Sequence, residues 1–325
     1  MRHLGTAARL LGWLVVALLG LLAIARVVAW GTAFSPLLGM HALGPLPYLT
    51  ALPVAVCALV GREARLALVA LGVLLAAVPT GLPEYAAAED EPLGARTAPS
   101  LKILSWNVYH SNADVAAIDE VVSGANADVV VLQEVSSANV EALGRSTALS
   151  AYRHSFTTPA SSAFGAGIWS RLPLEGAEEF DVGGLPMTRA SVATAAGPVR
   201  LVNVHALSPV TDEGRDRWPR QLRALAELAR SPGPPIVLAG DFNATWGHRP
   251  FRRLLDAGLE DAGAARGARW SPTWPEGRRW VPPLLRIDHV LSGPGLVSTS
   301  YRTGDDGGSD HRSIVVDLSI QLVRD

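Results

Sequence analysis

The chain has 325 residues, with 28 Lys and Arg against 30 Asp and Glu, for a net charge of −2. Only 18 % of residues are charged and mean hydropathy is +0.23, oily for a soluble protein. The charge balance excludes a strongly basic nucleic-acid binder, so a polyanion would be held locally or through a metal, and the single cysteine, Cys57, excludes an intrachain disulfide.

Apolar residues concentrate at the front. Three runs, about 10–30, 46–60 and 66–82, approach the roughly 20 residues that cross a bilayer. The second is short and carries Pro47 and Pro53. The first alone would pass for a signal peptide flanked by Arg2 and Arg9, but two further runs favour an anchor of about three transmembrane helices over residues 1–82. Arg2 and Arg9 precede the first run, Arg62 and Arg65 lie between the second and third, and the first connection has no Lys or Arg. The positive-inside tendency then puts the N-terminus in the cytoplasm and everything after Leu82 outside, a multi-pass protein of the cell membrane. Losing the second span would reverse that orientation.

Residues 83–100 read as an exposed linker, with Pro83, Glu84, Glu89, Asp90, Glu91, Pro92 and Pro99. Beyond it, Leu101–Val108 reads as a strand ending near Asn107. Asp114–Ala125 has helical spacing. Ala127–Val135 is a strand carrying Glu134, and Ala166–Ser170, Ala190–Ala195 and Val199–His205 are further short strands. Trp218–Arg230 is an amphipathic helix. Ile236–Trp246 begins as a buried, β-branched strand and ends in Gly240, Asp241, Phe242 and Asn243. Arg249–Ala257 is a short helix, and Arg286–Leu291 and Ser313–Leu322 are strands. Strands outnumber helices and helices do not follow every strand, so mixed sheets with helices packed outside are expected.

One pattern recurs. Asn107, Glu134, His205, Asp241, Asn243, Asp288, Asp310 and His311 each lie at or just beyond an apolar strand. Strand ends at one sheet edge are where separate segments meet. A carboxylate such as Asp241, emerging from a core strand, calls for a metal ion or a water to deprotonate, although Asp and Asn also serve turns and helix caps. Oxygen ligands suit a hard cation, Mg²⁺ above all, and no zinc motif or P-loop is present. Asp288 and His289 are adjacent on a strand and point to opposite faces, which leaves Asp288 for the site and His289 for the structure.

The ordered set S-W-N-V, L-Q-E-V, N-V-H, G-D-F-N, I-D-H and S-D-H, over about Leu101–Leu322, resembles the endonuclease/exonuclease/phosphatase superfamily, in a membrane-anchored, bacterial-type form. The resemblance implies an α+β fold of two mixed β-sheets flanked by helices, a DNase I-like four-layer sandwich over 101–325. It implies hydrolysis of phosphate esters with a divalent metal, Mg²⁺ or else Mn²⁺ or Ca²⁺, and an activated water. By motif, Glu134 looks like the principal metal ligand, with Asn107 beside it and Asp310 as a second metal-side carboxylate. Asp241 would orient or deprotonate the water, and Asn243 would hold the phosphate or that water. His311 would stabilise charge on a phosphoryl oxygen, Asp288 would fix its tautomer, and His205 would act on the phosphate or the leaving oxygen.

The expected activity is a phosphodiesterase on extracellular nucleic acid or phospholipid headgroups. A phosphomonoesterase of the same fold and an inactive membrane-tethered binding protein are the alternatives. The membrane is the expected partner, and no obligate protein partner is evident. Specificity is expected from Pro209–Arg220, from Trp246, His248 and Arg249, and from Ser271–Pro283, whose Trp and Arg residues suit bases or lipid headgroups and equally suit covering the core. Arg189 is expected on the surface, and Asp305 and Asp306 in a solvated loop.

Overall fold

The computed structural model describes residues 5–28, 35–85, 98–268 and 271–321. Helices come first: α1 (Thr6–Val28), α2 (Ser35–Ala42), a 3₁₀ segment (Leu46–Thr50), α3 (Ala51–Val60) and α4 (Ala64–Tyr85). Then follow β1 (Ser100–Asn107), α5 (Val115–Ala125), β2 (Val129–Gln133), α6 (Val140–Arg145), α7 (Thr147–Ser150), β3 (His154–Thr158), β4 (Ala166–Ser170), β5 (Leu174–Asp181), β6 (Pro186–Thr194) and β7 (Gly197–His205). The chain continues through α8 (Asp212–Arg230), β8 (Ile236–Asp241), α9 (Arg249–Leu255), β9 (Glu260–Asp261), α10 (Ala262–Ala265), β10 (Asp288–Ser292), β11 (Leu296–Thr303) and β12 (Ile314–Ile320).

The strands form two six-stranded sheets, ordered β11-β12-β1-β2-β4-β3 and β5-β6-β7-β8-β10-β9. Each holds one parallel pair at its centre, β1 with β2 and β7 with β8, and is antiparallel elsewhere. A parallel pair needs a crossover, and α5 and α8 supply it. Side-chain alternation then sorts the core. Leu101, Ile103, Val129 and Val131 face Leu201, Val237, Ala239 and Val290 between the sheets. The alternate residues Leu104, Trp106, Val130 and Leu132 pack under Ile118, Val121 and Val122 of α5. On the far side, Ile236 and Leu238 pack under Trp218, Leu222 and Leu225 of α8 and Phe251 of α9. The result is the expected helix–sheet–sheet–helix order.

The helical front differs from expectation. Among the described residues one helix, over Thr6–Arg26, is long and apolar enough to cross a membrane, not three. The second run is one arm of a bent pair: Leu46–Val60, which opens as a 3₁₀ segment at Pro47, meets Pro36–Ala42 at 87° across residues 43–45. The third run lies on helix α4, which is 22 residues long and whose described apolar part is Ala64–Leu75. Helix α4 runs on to Tyr85, past the expected end of the last span, and Pro99 already meets the sheet, its carbonyl accepting from Ile320 N at 2.8 Å. Glu89, Asp90, Glu91 and Pro92 of the expected linker, Trp30 of the first run and Leu322 of the last strand lie outside the described residues.

The expected loop Pro209–Arg220 is mostly helix. Thr211 caps α8 by accepting from Gly214 N at 3.0 Å, and Asp212 and Glu213 in the first turn suit the positive helix end.

Candidate active site at the end of the inter-sheet seam

Topology explains why distant residues meet. Parallel strands share a direction, so β1, β2, β7 and β8 end at one rim, bringing Asn107, Glu134, His205 and Asp241. Antiparallel neighbours start there: β10 opens at Asp288, and His311 precedes β12. Alternation decides the face. Asn107, His205, Asp241 and Asp288 share parity with the inter-sheet core residues Ile103, Leu201, Ala239 and Val290, so they cap that core. In register, Asp241 stands beside His205 on one side and Asp288 on the other. His289 has the other parity. It is fully buried against Phe251 and Asp261, with Nε2 2.9 Å from Ala244 O.

One half of the site is organised on Glu134. Asn107 Nδ2 donates to Glu134 Oε1 at 3.1 Å and to Asp241 Oδ2 at 3.3 Å, while Asn107 Oδ1 accepts from Tyr109 N at 3.1 Å. His110 reaches Glu134 Oε2 through both its backbone N and its Nδ1, each at 2.9 Å. His205 Nε2 lies 3.9 Å from Glu134 Oε1 and 3.8 Å from Asp241 Oδ2. Burial opposes ionisation of Glu134, but His205 and the hydrogen bonds of Asn107 and His110 outweigh it and hold the carboxyl below its ordinary pKa. Burial pushes His205 down, against the pull of Glu134, so its ring is neutral at pH 7. Tyr109, Glu134 and Asn243 all have positive φ, at 64°, 60° and 47°. For non-glycine residues that backbone costs about 1–3 kcal/mol each. Asn139, fully buried, holds two of them through its amide, donating to Tyr109 O and Glu134 O.

The other half is a charge pair. His311 Nδ1 is 3.0 Å from Asp288 Oδ2, and His311 Nε2 is 3.9 Å from Asp241 Oδ2. Burial would discharge His311, but Asp288 outweighs it and raises the pKa to about 10. Asp241 is pushed up to about 7, by burial first and by the Asp288 charge second. Asn243 N donates to Asp241 Oδ1 at 2.7 Å, and Asn243 Nδ2 is tied to Ala206 O at 2.9 Å. Asp310 Oδ1 stands 4.0 Å from His311 Nε2, and Trp274 Nε1 donates to Asp310 Oδ2 at 3.3 Å. Asp310 makes no hydrogen bond or ion pair with Glu134 or Asn107 among the described residues. Glu134, His205, Asp241, Asn243, Asp310 and His311 open on one cavity of about 650 Å³, whereas Asn107 and Asp288 lie beneath it.

The sequence of this region agrees with the geometry. The profile of the Endonuclease/Exonuclease/phosphatase family matches residues 104–311, well over half the chain. The chain belongs to that family. A curated relative, UPF0294 protein VP2298 of Vibrio parahaemolyticus, is 25 % identical over 237 residues, covering 68 % of this chain and 78 % of its own length. The solved endonuclease/exonuclease/phosphatase from Beutenbergia cavernae superposes with TM-score 0.54 at 22 % identity, over 69 % of this chain and 72 % of that one. Humanized D. rerio TDP2 superposes with TM-score 0.56 at 20 % identity, over 68 % of this chain and 99 % of that one. Both structures share the DNase I-like fold.

Endonuclease/exonuclease/phosphatase chemistry implies a divalent ion, and the donor set fits one. The carboxylates of Glu134, Asp241 and Asp310 line one cavity, and Glu134 is held ionised. Asp241, Asp288 and His311 also offer donor atoms within 4.8 Å of one another. Within that trio Asp288 Oδ2 meets His311 Nδ1 at 3.0 Å, while the buried Asp288 Oδ1 has no hydrogen-bond partner among the described residues. Asn107 presents its NH₂ to Glu134 and engages its own oxygen with Tyr109.

Several participants carry no signal by residue type. His110 grips Glu134; only its place three residues after Asn107, just past β1, hints at a role. Ser309 Oγ donates to Asn107 O at 2.6 Å and accepts from His311 N at 3.0 Å, tying the two halves together. Gln133 and Asn203 join the sheets under the site, with Gln133 Nε2 donating to Asn203 Oδ1 at 2.8 Å. Of the expected specificity residues, Trp246 Nε1 donates to Asp261 Oδ2 at 2.7 Å, and His248 is largely buried while forming part of the cavity lining. Arg249 is exposed at the start of α9 and does not line this cavity. Within Ser271–Pro283, Trp274 lines the cavity while Trp280 is 81 % exposed. Arg189 lies away from the site, paired with Glu178 at 2.5 Å.

Proposed function

We propose that the protein is a membrane-anchored, metal-assisted phosphodiesterase whose water attacks phosphorus at the Asp241–His311 face of the cavity. The observation that carries this reading is the meeting of an ionised Glu134, a raised Asp241 and a charged His311 in one cleft. In hydrolysis the water oxygen bonds to phosphorus, the P–O ester bond breaks, and the alkoxide leaves as the alcohol with a proton. Asp241, titrating near neutrality, is matched to taking the water's proton. His311, held cationic by Asp288, donates to a phosphoryl oxygen as charge builds there. Asn243 holds Asp241 and the incoming group in line, and neutral His205 faces the phosphate or the leaving oxygen. A Mg²⁺ ion held by Glu134 and Asp310 would neutralise phosphate charge.

The anchor reading rests on α1. Only 17 % of its apolar window is buried, whereas a core helix is mostly covered. Its inner face packs into a small bundle, Val16 against Ala55, Leu66 and Ala70, and Leu19 and Leu22 against Tyr48. A cleaved signal sequence has no use for such a seam. Residues 1–82 then serve as the anchor and 101–325 as the catalytic domain, with Arg2 and Arg9 marking the cytoplasmic end.

Full-length protein assayed with Mg²⁺ should hydrolyse bis-p-nitrophenyl phosphate faster than the corresponding monoester, and EDTA should abolish the activity. His311→Ala and Asp241→Asn should each lower turnover at least about 100-fold. Undiminished rates in both variants would refute the mechanism, and a preference for the monoester would make the enzyme a phosphatase.

A further inference from the structure

Helix α2 is not a spacer between the anchor and the sandwich. Thr245 Oγ1 donates to Ala42 O at 3.0 Å. His248 Nδ1 accepts from Thr245 N at 3.0 Å, so its Nε2 carries the hydrogen that meets Leu38 O at 3.1 Å. Burial pushes His248 down to about pKa 4, consistent with that neutral ring. A side chain at Gly247 would collide with the His41 carbonyl. Leu38 itself, 2 % exposed, belongs to the core under α8 and α9. The loop after Asp241 is thus shaped to receive α2.

Two cavities flank the docked helix. On one side Leu38, Gly39 and Ala42 form part of the wall of the catalytic cleft. Phe164, Pro209 and Val210, the last 53 % exposed, line the same cleft, so apolar side chains share it with the polar groups of Asp241 and His311. On the other side, a cavity of about 360 Å³ is lined by Arg26, Arg223, Arg249 and Arg253 beside Leu38 and His41. Arginines near the end of an apolar helix mark the level of anionic headgroups. Helix α2 stands at 87° to the Leu46–Val60 run, as a helix lying along a surface stands to one entering it. The bundle presents Leu18, Leu21, Leu52, Val56 and Leu68 outward, each more than half exposed.

Resting on the phosphodiesterase reading above, we propose that α2 is the specificity wall of the cleft and that the substrate is a membrane phospholipid, its phosphodiester at Asp241 and His311 and its apolar part along Gly39, Ala42 and Val210. Nucleic acid has no apolar tail to lay on that wall. A membrane lipid has one, and it meets the cleft at the level where the chain itself enters the bilayer.

Gly39 gives a clean test, because a side chain there meets open space and helix α2 can carry it. Full-length protein in nanodiscs, with Mg²⁺, is assayed on phosphatidylglycerol, on bis-p-nitrophenyl phosphate and on duplex DNA. The lipid is expected to be the best of the three. Gly39→Asp, which sets a carboxylate in the wall, should lower the ratio of lipid to soluble-ester turnover at least about tenfold, and Gly39→Leu should keep it within about threefold. Hydrolysis of the soluble ester or DNA in preference to the lipid, or an unmoved ratio in Gly39→Asp, overturns this inference and leaves the catalytic reading standing. Failure to hydrolyse any of the three removes both.

Discussion

The helical front and the sandwich use the same aliphatic residues in opposite ways. In the sandwich, Leu101, Ile103, Val131 and Val237 are sealed between sheets with no exposure. In the bundle, Ala55, Ala58 and Ala70 are sealed inside with Val16, Leu19, Leu22 and Leu66, while Leu18, Leu21, Leu68 and Leu75 face out. A water-soluble domain buries its large side chains and a lipid-solvated one can bury its small ones, because hydrocarbon gives leucine no reason to hide. On the anchor reading proposed above, one chain carries two solvents' worth of design, with α2 seated between the two regions.

The comparison is broken most severely at the sandwich's buried ion pair. Arg286 makes two hydrogen bonds to Asp261, at 2.9 and 2.6 Å, with both side chains buried. Arg286→Met strands that carboxylate and should cost about 3–5 kcal/mol in denaturant unfolding of the sandwich. An unchanged midpoint would show that Asp261 is satisfied without Arg286. Next in size is the bundle: Leu18→Asp puts a charge on the outward face of α1 and should cost about 2.5–3.5 kcal/mol of insertion, read as protein lost from the membrane fraction. Retention in that fraction would mean that this face does not meet lipid.

Acid should sharpen the contrast more gently. Burial alone would raise the pKa of Asp261, but Arg286 and His289 outweigh it and hold it well below the ordinary value. A depressed carboxyl stabilises the fold above its unfolded pKa of about 3.9, and that contribution fades as pH falls from there through the folded value. The stability gap between the native chain and Arg286→Met should therefore narrow below about pH 4, and a gap independent of pH would dissociate Asp261 from the effect. Smallest is the exposed Arg189–Glu178 pair at the sandwich surface, where Arg189→Ala should change stability by less than about 1 kcal/mol.

The strands that sequence patterning misses, β3, β5, β9 and β11, are the four sheet edges. An edge strand buries little: β5 reads L-E-G-A-E-E-F-D and is mostly exposed, so neither alternation nor an apolar run marks it. Central strands β1, β2, β7, β8, β10 and β12 are buried on both faces and announce themselves. Because the candidate site sits on their ends, its polar residues were legible from the motifs. The helix count at the front was not, since hydropathy is blind to the 87° bend between Ala42 and Leu46. The grip of His110 on Glu134 and the seat of α2 on Thr245, Gly247 and His248 are contacts between segments, and no local pattern encodes them.

The left-handed backbone at Tyr109 and Glu134 has an evolutionary corollary. Glycine would relax both positions, yet at 134 it would delete the acid that the cleft is built around. Libraries screened for heat resistance alone, with no demand on turnover, should drift toward glycine at 109 and 134, and lineages kept under demand for turnover should hold the glutamate and tolerate the strain.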